Sequence, residues 1–528
     1  MLFNSLLLLS LPLYLFILPN PTISSSINLP RFNPYFANIV KRKEHRNFSA
    51  IFNSPHNIAL DTDVARNSLG SGDGDIHEAR HELYRVVTEA TPIHLALTLI
   101  PAFIVFFGLF SAFVKEKLYV GEAIIAVVFG IILGPLALGL FDPRSWGGGK
   151  EFDHLTLELT RIVISLSVFA VGVELPKAYV LRHWRSLAVL LGPLMLIGWM
   201  VCGLLIYVLI PGLDFLSSLL VAAACTPTDP ILAASVVGKG KYAQKHVPAH
   251  LRHLLQAESG CNDGAAFPFL FLALFIALRG DYSLGKVVGE WILLVILYQI
   301  VLGTAIGAVI GIIARKTLKF CKRRSYIDRE SMVAMYVALS LLTTGLTTLV
   351  GSDDLLAAFA CGAAFAWDDW FTESIEASNF SSIIDLLINS ATFIYVGATI
   401  PFKEWNDPSL TLVPWRIVIL AFSIIVLRRL PAMLLLQKLI PDLKTGREAI
   451  FSGHFGPIGV GAIFISTLAV TKLPTPNIPP QNSLDTVALT VQPLTYLFVL
   501  FSVLIHGLSI PFFTLGRNVS SRVHSISR

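Results

Sequence analysis

From Ile93 onward the chain alternates between apolar runs of roughly 20 residues and short polar breaks. A helical run of that length crosses about 30 Å of hydrocarbon. Only helices and closed barrels satisfy every backbone group in lipid, and the short alternating strands of a barrel are absent from the pattern. The chain therefore predicts about thirteen transmembrane helices, over 92–113, 119–140, 154–175, 187–210, 214–238, 250–278, 286–314, 330–350, 353–366, 383–400, 415–440, 448–471 and 487–513, the ninth of them short.

Basic residues cluster after the odd-numbered runs: Lys115 and Lys117; Lys177, Arg182 and Arg185; Lys239, Lys241 and Lys245; and the set Arg315, Lys316, Lys319, Lys322, Arg323 and Arg324. Loops after even-numbered runs hold few, chiefly Arg144, Lys150, Arg279, Lys403 and Lys472. Cytoplasmic loops carry the excess of Lys and Arg, so the odd-run exits are expected in the cytosol, the N-terminus outside and the C-terminus inside.

Composition supports the same class. The 528 residues are 54% hydrophobic and only 14% charged, with a mean hydropathy of +0.69, whereas soluble domains carry about 25% charged residues. The fold class expected is an all-α polytopic membrane protein. The net charge of +5 is modest, and no nucleic-acid partner is expected. Of the five cysteines none forms a CxxC pair, and Cys202, Cys225, Cys261 and Cys361 lie in apolar runs, so neither a disulfide nor a zinc site is indicated. The absence of GxGxxG and GxxxxGK[ST] words argues against a dinucleotide and an ATP-driven engine. No cofactor is expected.

Residues 1–91 read differently. Met1 to Pro19 is apolar but lacks a basic start, leaving open a signal peptide, an extra span or an artefact of gene prediction. The polar stretch that follows, with Gly70-Ser71-Gly72-Asp73-Gly74-Asp75, reads as a poorly ordered extension. With its N-terminus outside, Asn47-Phe48-Ser49 is a candidate glycosylation sequon, whereas Asn379-Phe380-Ser381 falls on the cytosolic side. The expected organisation is an extension over 1–91, a transmembrane domain over 92–515 and a short cytosolic tail over 516–528.

Two polar words inside apolar runs carry the chemistry. The fifth run contains Cys225-Thr226-Pro227-Thr228-Asp229-Pro230, and the sixth contains Glu258-Ser259-Gly260-Cys261-Asn262-Asp263. A carboxylate at membrane depth marks an ion or proton path by default, and two prolines flanking a Thr-Asp pair predict a broken helix whose freed backbone groups need partners. The twelfth run is interrupted too, at His454-Phe455-Gly456-Pro457-Ile458-Gly459-Val460-Gly461. Paired interruptions seven runs apart are what inverted repeats leave, each half contributing one discontinuous helix that crosses the other; two unrelated kinks are the plainer alternative.

Helical spacing sets Ser259 and Asp263 on one face of the sixth helix, with Glu258 and Asn262 on the adjoining one. Asp263 is the strongest candidate for the ion carrier: low dielectric disfavours its charged form, so a proton and a small cation can compete for it. Hard cations take oxygen ligands, and the hydroxyls of Thr228 and Ser259 with freed carbonyls complete an expected Na⁺ site. Asp229 is read as either a ligand or a cap on helix N-terminal amides, and Asn262 as an amide bridge at the break. Glu258 needs a counter-charge at this depth; the adjacent Arg428 and Arg429 of the eleventh run are the candidates, and an architectural Glu258–Arg429 pair is expected, with Glu258 as a second proton carrier the alternative. Accessory candidates are Asp353 and Asp354, as a mouth feature or a helix start, and His454, as a proton relay or a packing residue. Asp385 is a weaker candidate. Gly303, Gly307 and Gly311 form a stripe suited to helix packing, and the basic run from Lys319 to Arg324 suits a solvated loop or anionic lipid.

These words resemble the cation/proton antiporter superfamily in its Asn-Asp branch. Ala257 to Gly264, Phe267-Pro268-Phe269 and His454 to Ala462 are similar to fungal plasma-membrane sodium and potassium ion/proton antiporters. The resemblance runs from about His94 to the end of the last apolar run. It implies the sodium/proton antiporter fold, a homodimer with a mobile core half, exchange at Asp263 surrounded by Thr228, Asp229, Ser259 and Asn262, a Glu258 pair with an arginine of the eleventh helix, and one-for-one exchange. Asp353, Asp354 and His454 stand where the fungal branch carries such residues. The arginine that animal relatives hold in the twelfth-helix motif is replaced here by His-Phe-Gly-Pro, so no role is transferred for it. The extension before residue 92 is outside the pattern, and the long tail common in fungal members is missing from it.

The reading is a secondary antiporter that exports Na⁺ or Li⁺, and K⁺ as a further candidate, for entering H⁺ at the plasma membrane, in contact with lipid. The rivals are a cation channel, a K⁺-preferring endomembrane exchanger, and an intramembrane enzyme using Asp353, Asp354 and His454, for which no nucleophile–base spacing is present.

Overall fold

A computed structural model describes residues 91–526, except 119, 150, 238–246 and 376–379. The expected signal peptide or extra span, the extension, the sequon at Asn47, Asn379 of the second sequon, and Lys150, Lys239, Lys241 and Lys245 lie outside the described residues.

The described chain is helical, with one isolated bridge between Asp407 and Leu412. In chain order the crossings are α1 Pro92–Phe113, α2 Glu122–Leu133, α3 Phe152–Glu174, α4 Trp184–Leu209, the two pieces α5a Phe215–Ala223 and α5b Pro230–Val237, α6 Ala249–Ala277, α7 Leu284–Arg323, α8 Arg329–Val350, α9 Asp354–Phe365, α10 Phe380–Ala398, α11 Pro414–Leu439, the pieces α12a Gly446–His454 and α12b Val460–Lys472, and α13 Ser483–Ile526. Each expected run is occupied. Nine described helices are long and apolar enough to cross a membrane, and α2, α9 and α12b are shorter apolar helices. The final helix continues through the segment expected as a tail.

Local chemistry sets many of the helix starts. Pro92 enters α1 behind Thr91, whose hydroxyl accepts from the His94 amide at 3.3 Å. Asp214 and Asp328 accept from the amides of Ser217 and Ser331, each at 2.7 Å, at the starts of α5a and α8. Gly351, with φ +79°, ends α8 in the left-handed region that glycine tolerates, and two residues later Asp353 caps α9 by accepting from Leu356 at 3.0 Å.

Packing separates an inner set of helices from an outer one. In α3 and α13 about 72% and 67% of the central window is buried, against 11% in α1 and 17% in α7. The outer helices expose Leu97, Leu109, Phe110, Leu293 and Val309, side chains that suit a lipid-facing surface. One face of α7 turns inward. Side chains added at Gly303, Gly307 and Gly311 would collide with the α9 backbone at Asp353, Ala357 and Cys361. The stripe is therefore a close-packed seam, which matters because α9 begins with the acidic pair.

Candidate functional site

The two broken helices meet at their interruptions, and nearly every polar side chain there is engaged with freed backbone. At the first break, the amides of Cys225 and Thr226 still bond back to Ala222 and Ala223, at 2.9 and 3.1 Å. Beyond them the chain bends at Thr226 and Pro227, and Thr228 and Asp229 lie outside any helix until Pro230 restarts it. At the second break α12a ends at His454 and α12b resumes at Val460. The breaks are joined directly: the Asp229 amide donates to the Pro457 carbonyl at 2.8 Å.

Asp229 serves both restarted helices. Its Oδ1 accepts from the amides of Ile231 at 2.7 Å and Leu232 at 3.3 Å, at the start of α5b. Its Oδ2 accepts from the Val460 amide at 2.9 Å, at the start of α12b. One carboxylate thus satisfies orphan donors on two helix N-termini and sits at the positive end of both dipoles. Of the two readings the sequence leaves open, the geometry contains the cap. Gly459 is needed for it, since a Cβ there would collide with the Asp229 carboxylate.

Arg428 does the converse for carbonyls. Its guanidinium donates to the carbonyls of Cys225 and Pro227 at the first break and of Gly456 at the second, the Pro227 contact at 3.2 Å. It is buried, and five donors in a planar fork suit it to this task. The pairing with Glu258 belongs instead to Arg429. Its two terminal nitrogens donate to Oε1 at 2.5 Å and Oε2 at 2.7 Å, and its Nε donates to the Ser452 carbonyl at 2.9 Å. This bidentate pair ties α6 to α11, and α11 to α12a. A cavity of about 20 Å³, room for one water, lies beside it between Thr226, Thr228, Arg428, Arg429 and the α4 residues Leu194 to Gly198.

Asn262 bridges α6 to the first break alone. Its Oδ1 accepts from the Thr228 amide at 3.1 Å, and its Nδ2 donates to the Thr228 hydroxyl at 2.7 Å. Ser259, one turn earlier, donates its hydroxyl to the Leu255 carbonyl at 2.8 Å, which leaves its oxygen lone pairs available.

Asp263 differs from all of these. It is 1% exposed, and both carboxylate oxygens are buried without a hydrogen-bond partner. Its Oδ1 lies against the backbone of Gly461, where a Cβ would collide with it, and Asp229 and Asp353 both act on it electrostatically. Burying a carboxylate with no partner is costly, so this group is held for something other than stability. Among the described residues no three His, Cys, Asp or Glu side chains are grouped to hold a metal ion. The chemistry available at Asp263 is a carboxylate without a hydrogen-bond partner, which suits a weakly held monovalent cation or a proton better than a resident divalent metal.

The accessory candidates fall into two groups. Asp353 has its Oδ2 buried without a partner and lies over Gly264, the residue after Asp263, 2.7 Å from where a Cβ would be. Asp354 accepts from the Thr348 hydroxyl at 3.0 Å and pairs with Arg161 at 3.0 Å. His454 lies at the end of α12a with Nε2 2.9 Å from the Ser509 hydroxyl, and its ring faces that of His506 at 5.3 Å.

Three participants were not singled out from the sequence. Arg161 sits within α3, pairs with Glu158 at 2.6 Å as well as Asp354, and stacks over Phe464 of α12b at 5.8 Å. The rule that picks out charges at membrane depth would have found it. Ser502 and His506 lie in α13, and their hydroxyl and ring contact the backbone of the second break. A serine and a histidine one turn apart inside an apolar run were the available signal.

Comparison with known proteins places this geometry in context. Residues 102–516 match the family model described as sodium/hydrogen exchanger, transmembrane. A Na(+)/H(+) antiporter of Saccharomyces cerevisiae is 47% identical over 444 residues, covering 82% of this chain and 44% of that protein. A Na(+)/H(+) antiporter of Schizosaccharomyces pombe is 39% identical over 424 residues, covering 79% of this chain and 89% of that protein. The chain spans about half the length of the three most extensive curated relatives it matches. The fold is that of the solved sodium proton antiporter MjNhaP1 from Methanocaldococcus jannaschii at pH 8, with a TM-score of 0.59 at 18% identity, covering 80% of this chain and 99% of that one.

Proposed function

Because the chain belongs to the sodium/hydrogen exchanger transmembrane family, we propose that it is a secondary antiporter, exchanging cytosolic Na⁺ for external H⁺ at Asp263. Li⁺ and K⁺ are further candidate cargoes. The observation that carries this reading is the state of Asp263: fully buried, at the crossing of the broken helices, and unengaged by any hydrogen bond. A carboxylate so placed is neutral with a proton or neutral with a monovalent cation, and carries an uncompensated charge with neither. Return of the site across the membrane is therefore favoured only when one of the two is bound, and that couples their fluxes.

The surrounding residues have separate tasks. Ser259 and Thr228 offer neutral oxygens toward a cation. Asp229 and Arg428 keep the two breaks open by satisfying their amides and carbonyls. Glu258 and Arg429 cancel each other's charge, so the pair ties helices without adding a competing site. The apolar faces of α1 and α7, little covered within the chain, are where lipid or a second copy would lie, and a homodimer is proposed. The transmembrane domain is proposed to cover 92–515 of a multi-pass plasma-membrane protein, with residues 1–91 outside and the segment after 515 in the cytosol.

The test uses purified protein in liposomes under an imposed pH gradient, with Na⁺, Li⁺ and K⁺ added in turn. Wild type should collapse the gradient in the presence of at least one cation, and Asp263→Asn should not, at equal incorporation. Full activity of that variant, or no response of wild type to any alkali cation between about pH 5.5 and 8.5, would reject the proposal. Unitary currents in a planar bilayer would favour a channel instead.

A further inference from the structure

At the second break the helical ladder is interrupted: the Phe455 amide still bonds to Phe451, the Gly456 amide turns back to the His454 carbonyl, and α13 supplies further partners. The Ile458 amide, at the centre of the break, donates to the Ser502 hydroxyl at 2.7 Å. Nε2 of His506 lies 2.9 Å from the His454 carbonyl, at the end of α12a, and Nδ1 lies 2.9 Å from the Ser502 carbonyl and 3.1 Å from the Ser502 hydroxyl. A carbonyl only accepts, so a neutral ring donates to one of the two at a time. The Ser502 hydroxyl and the His506 ring thus both meet the backbone of the interruption. Ser509, a further turn along α13, contacts His454 Nε2 at 2.9 Å and donates to its own Ile505 carbonyl at 2.6 Å. Ser502 and His506 are 0% and 3% exposed, so no water can substitute for them without a rearrangement.

We propose that Ser502 and His506 are positioning residues for cation binding: by fixing the backbone on both sides of the second break, they set where Val460 and Gly461 meet Asp229 and Asp263. The inference rests on the exchange activity proposed above. Neither side chain is needed to touch the cation. Their effect passes through two short links: Ile458 is two residues from Val460, whose amide is bound by Asp229, and three from Gly461, against which Asp263 Oδ1 lies. Between Ile458 and Gly461 the backbone includes no helical turn before Val460, so a displacement at one end is not absorbed before the other.

The prediction separates positioning from mere support. Ser502→Ala removes the acceptor for the Ile458 amide, and His506→Leu removes the ring's polar contact with the His454 carbonyl. Each is expected to raise the Na⁺ concentration for half-maximal exchange at least threefold, with the maximal rate lowered less than twofold. Ser502→Thr keeps the hydroxyl and is expected to restore wild-type half-saturation; His506→Gln keeps an N–H donor and is expected to restore it in part. Hydrogen–deuterium exchange supplies a second reading that does not depend on transport: amides of 455–461 should exchange faster in Ser502→Ala and recover in Ser502→Thr. If wild type transports and the alanine and leucine variants keep its half-saturation, positioning is overturned, whatever their thermal stability. If wild type shows no cation-dependent exchange, it is the antiporter reading that fails, and unchanged protection of 455–461 would then overturn this inference by itself.

Discussion

Removing Glu258 or Arg429 singly and then together tests the most consequential electrostatic contact among the described residues. The side chains are 1% and 7% exposed and share two parallel hydrogen bonds of 2.5 and 2.7 Å. Glu258→Ala leaves a buried guanidinium without its counter-charge, a loss of about 3–5 kcal/mol. Arg429→Ala should cost more, because it also abandons the Ser452 carbonyl that Nε holds at 2.9 Å, and an orphaned buried acceptor adds about 1–3 kcal/mol. Replacing both partners by apolar residues of similar volume, Glu258→Leu with Arg429→Met, removes the charges altogether and should lie within about 2 kcal/mol of wild type once the Ser452 term is counted. The single variants Glu258→Leu and Arg429→Met strand the same partner charges as the alanine variants, so a coupling energy of at least about 3 kcal/mol is expected from the cycle they form with that double variant. The assay is equilibrium denaturant unfolding in detergent micelles, followed by the fluorescence of the eight tryptophans. Effects that add to within about 0.5 kcal/mol would show the two residues to be energetically independent and refute the pair as the tie between α6 and α11.

Three further expectations contrast the roles of neighbouring groups. Asp229→Asn puts an amide donor against one of the backbone amides now accepted by the carboxylate, so it should lower stability by about 1–3 kcal/mol, whereas Asp263→Asn should not; equal melting of both variants would contradict the division between a capping and an exchanging carboxylate. Gly461→Ala places a methyl where Asp263 Oδ1 lies, and should reduce exchange at least about tenfold, the scale of a 1.4 kcal/mol penalty, at normal expression; liposome assays showing wild-type rates would disprove the contact. Arg161→Gln leaves Asp354 with Thr348 alone of its two described partners. Its cost of about 1–3 kcal/mol should be largely relieved by adding Asp354→Asn, and an unrelieved double variant, measured by the same unfolding, would count against that ion pair.

Much of this protein was legible along the chain because a bilayer demands so much of every segment. Apolar length alone located the thirteen crossings, since a helix too short or too polar cannot replace lost hydration. The same rule drew attention to Asp263, Glu258 and the adjacent arginines, and Pro and Gly marked both interruptions. Arg161, three residues after Glu158, and His506, one turn after Ser502, passed unnoticed because neither is marked by a Pro or Gly interruption, and such polar residues have many satisfied structural roles.

What the linear order could not supply was the assignment of partners. Beside Arg429, which meets Glu258, stands Arg428 with the same chemistry, and only the turn of α11 sends it to three carbonyls at the two breaks. Asp229 reads equally well as a ligand or a cap until the second broken helix, more than two hundred residues away, brings the Val460 amide to it. Asp263 has no partner in a crowded polar neighbourhood, a property that no local pattern encodes. Hydrophobicity acts segment by segment and can be summed along a sequence, so it determined the number and depth of the helices. Hydrogen bonds act over about 3 Å and in fixed directions, so which polar groups are used up in holding the breaks, and that the Asp263 carboxylate is left without a hydrogen bond, was decided only when the helices crossed.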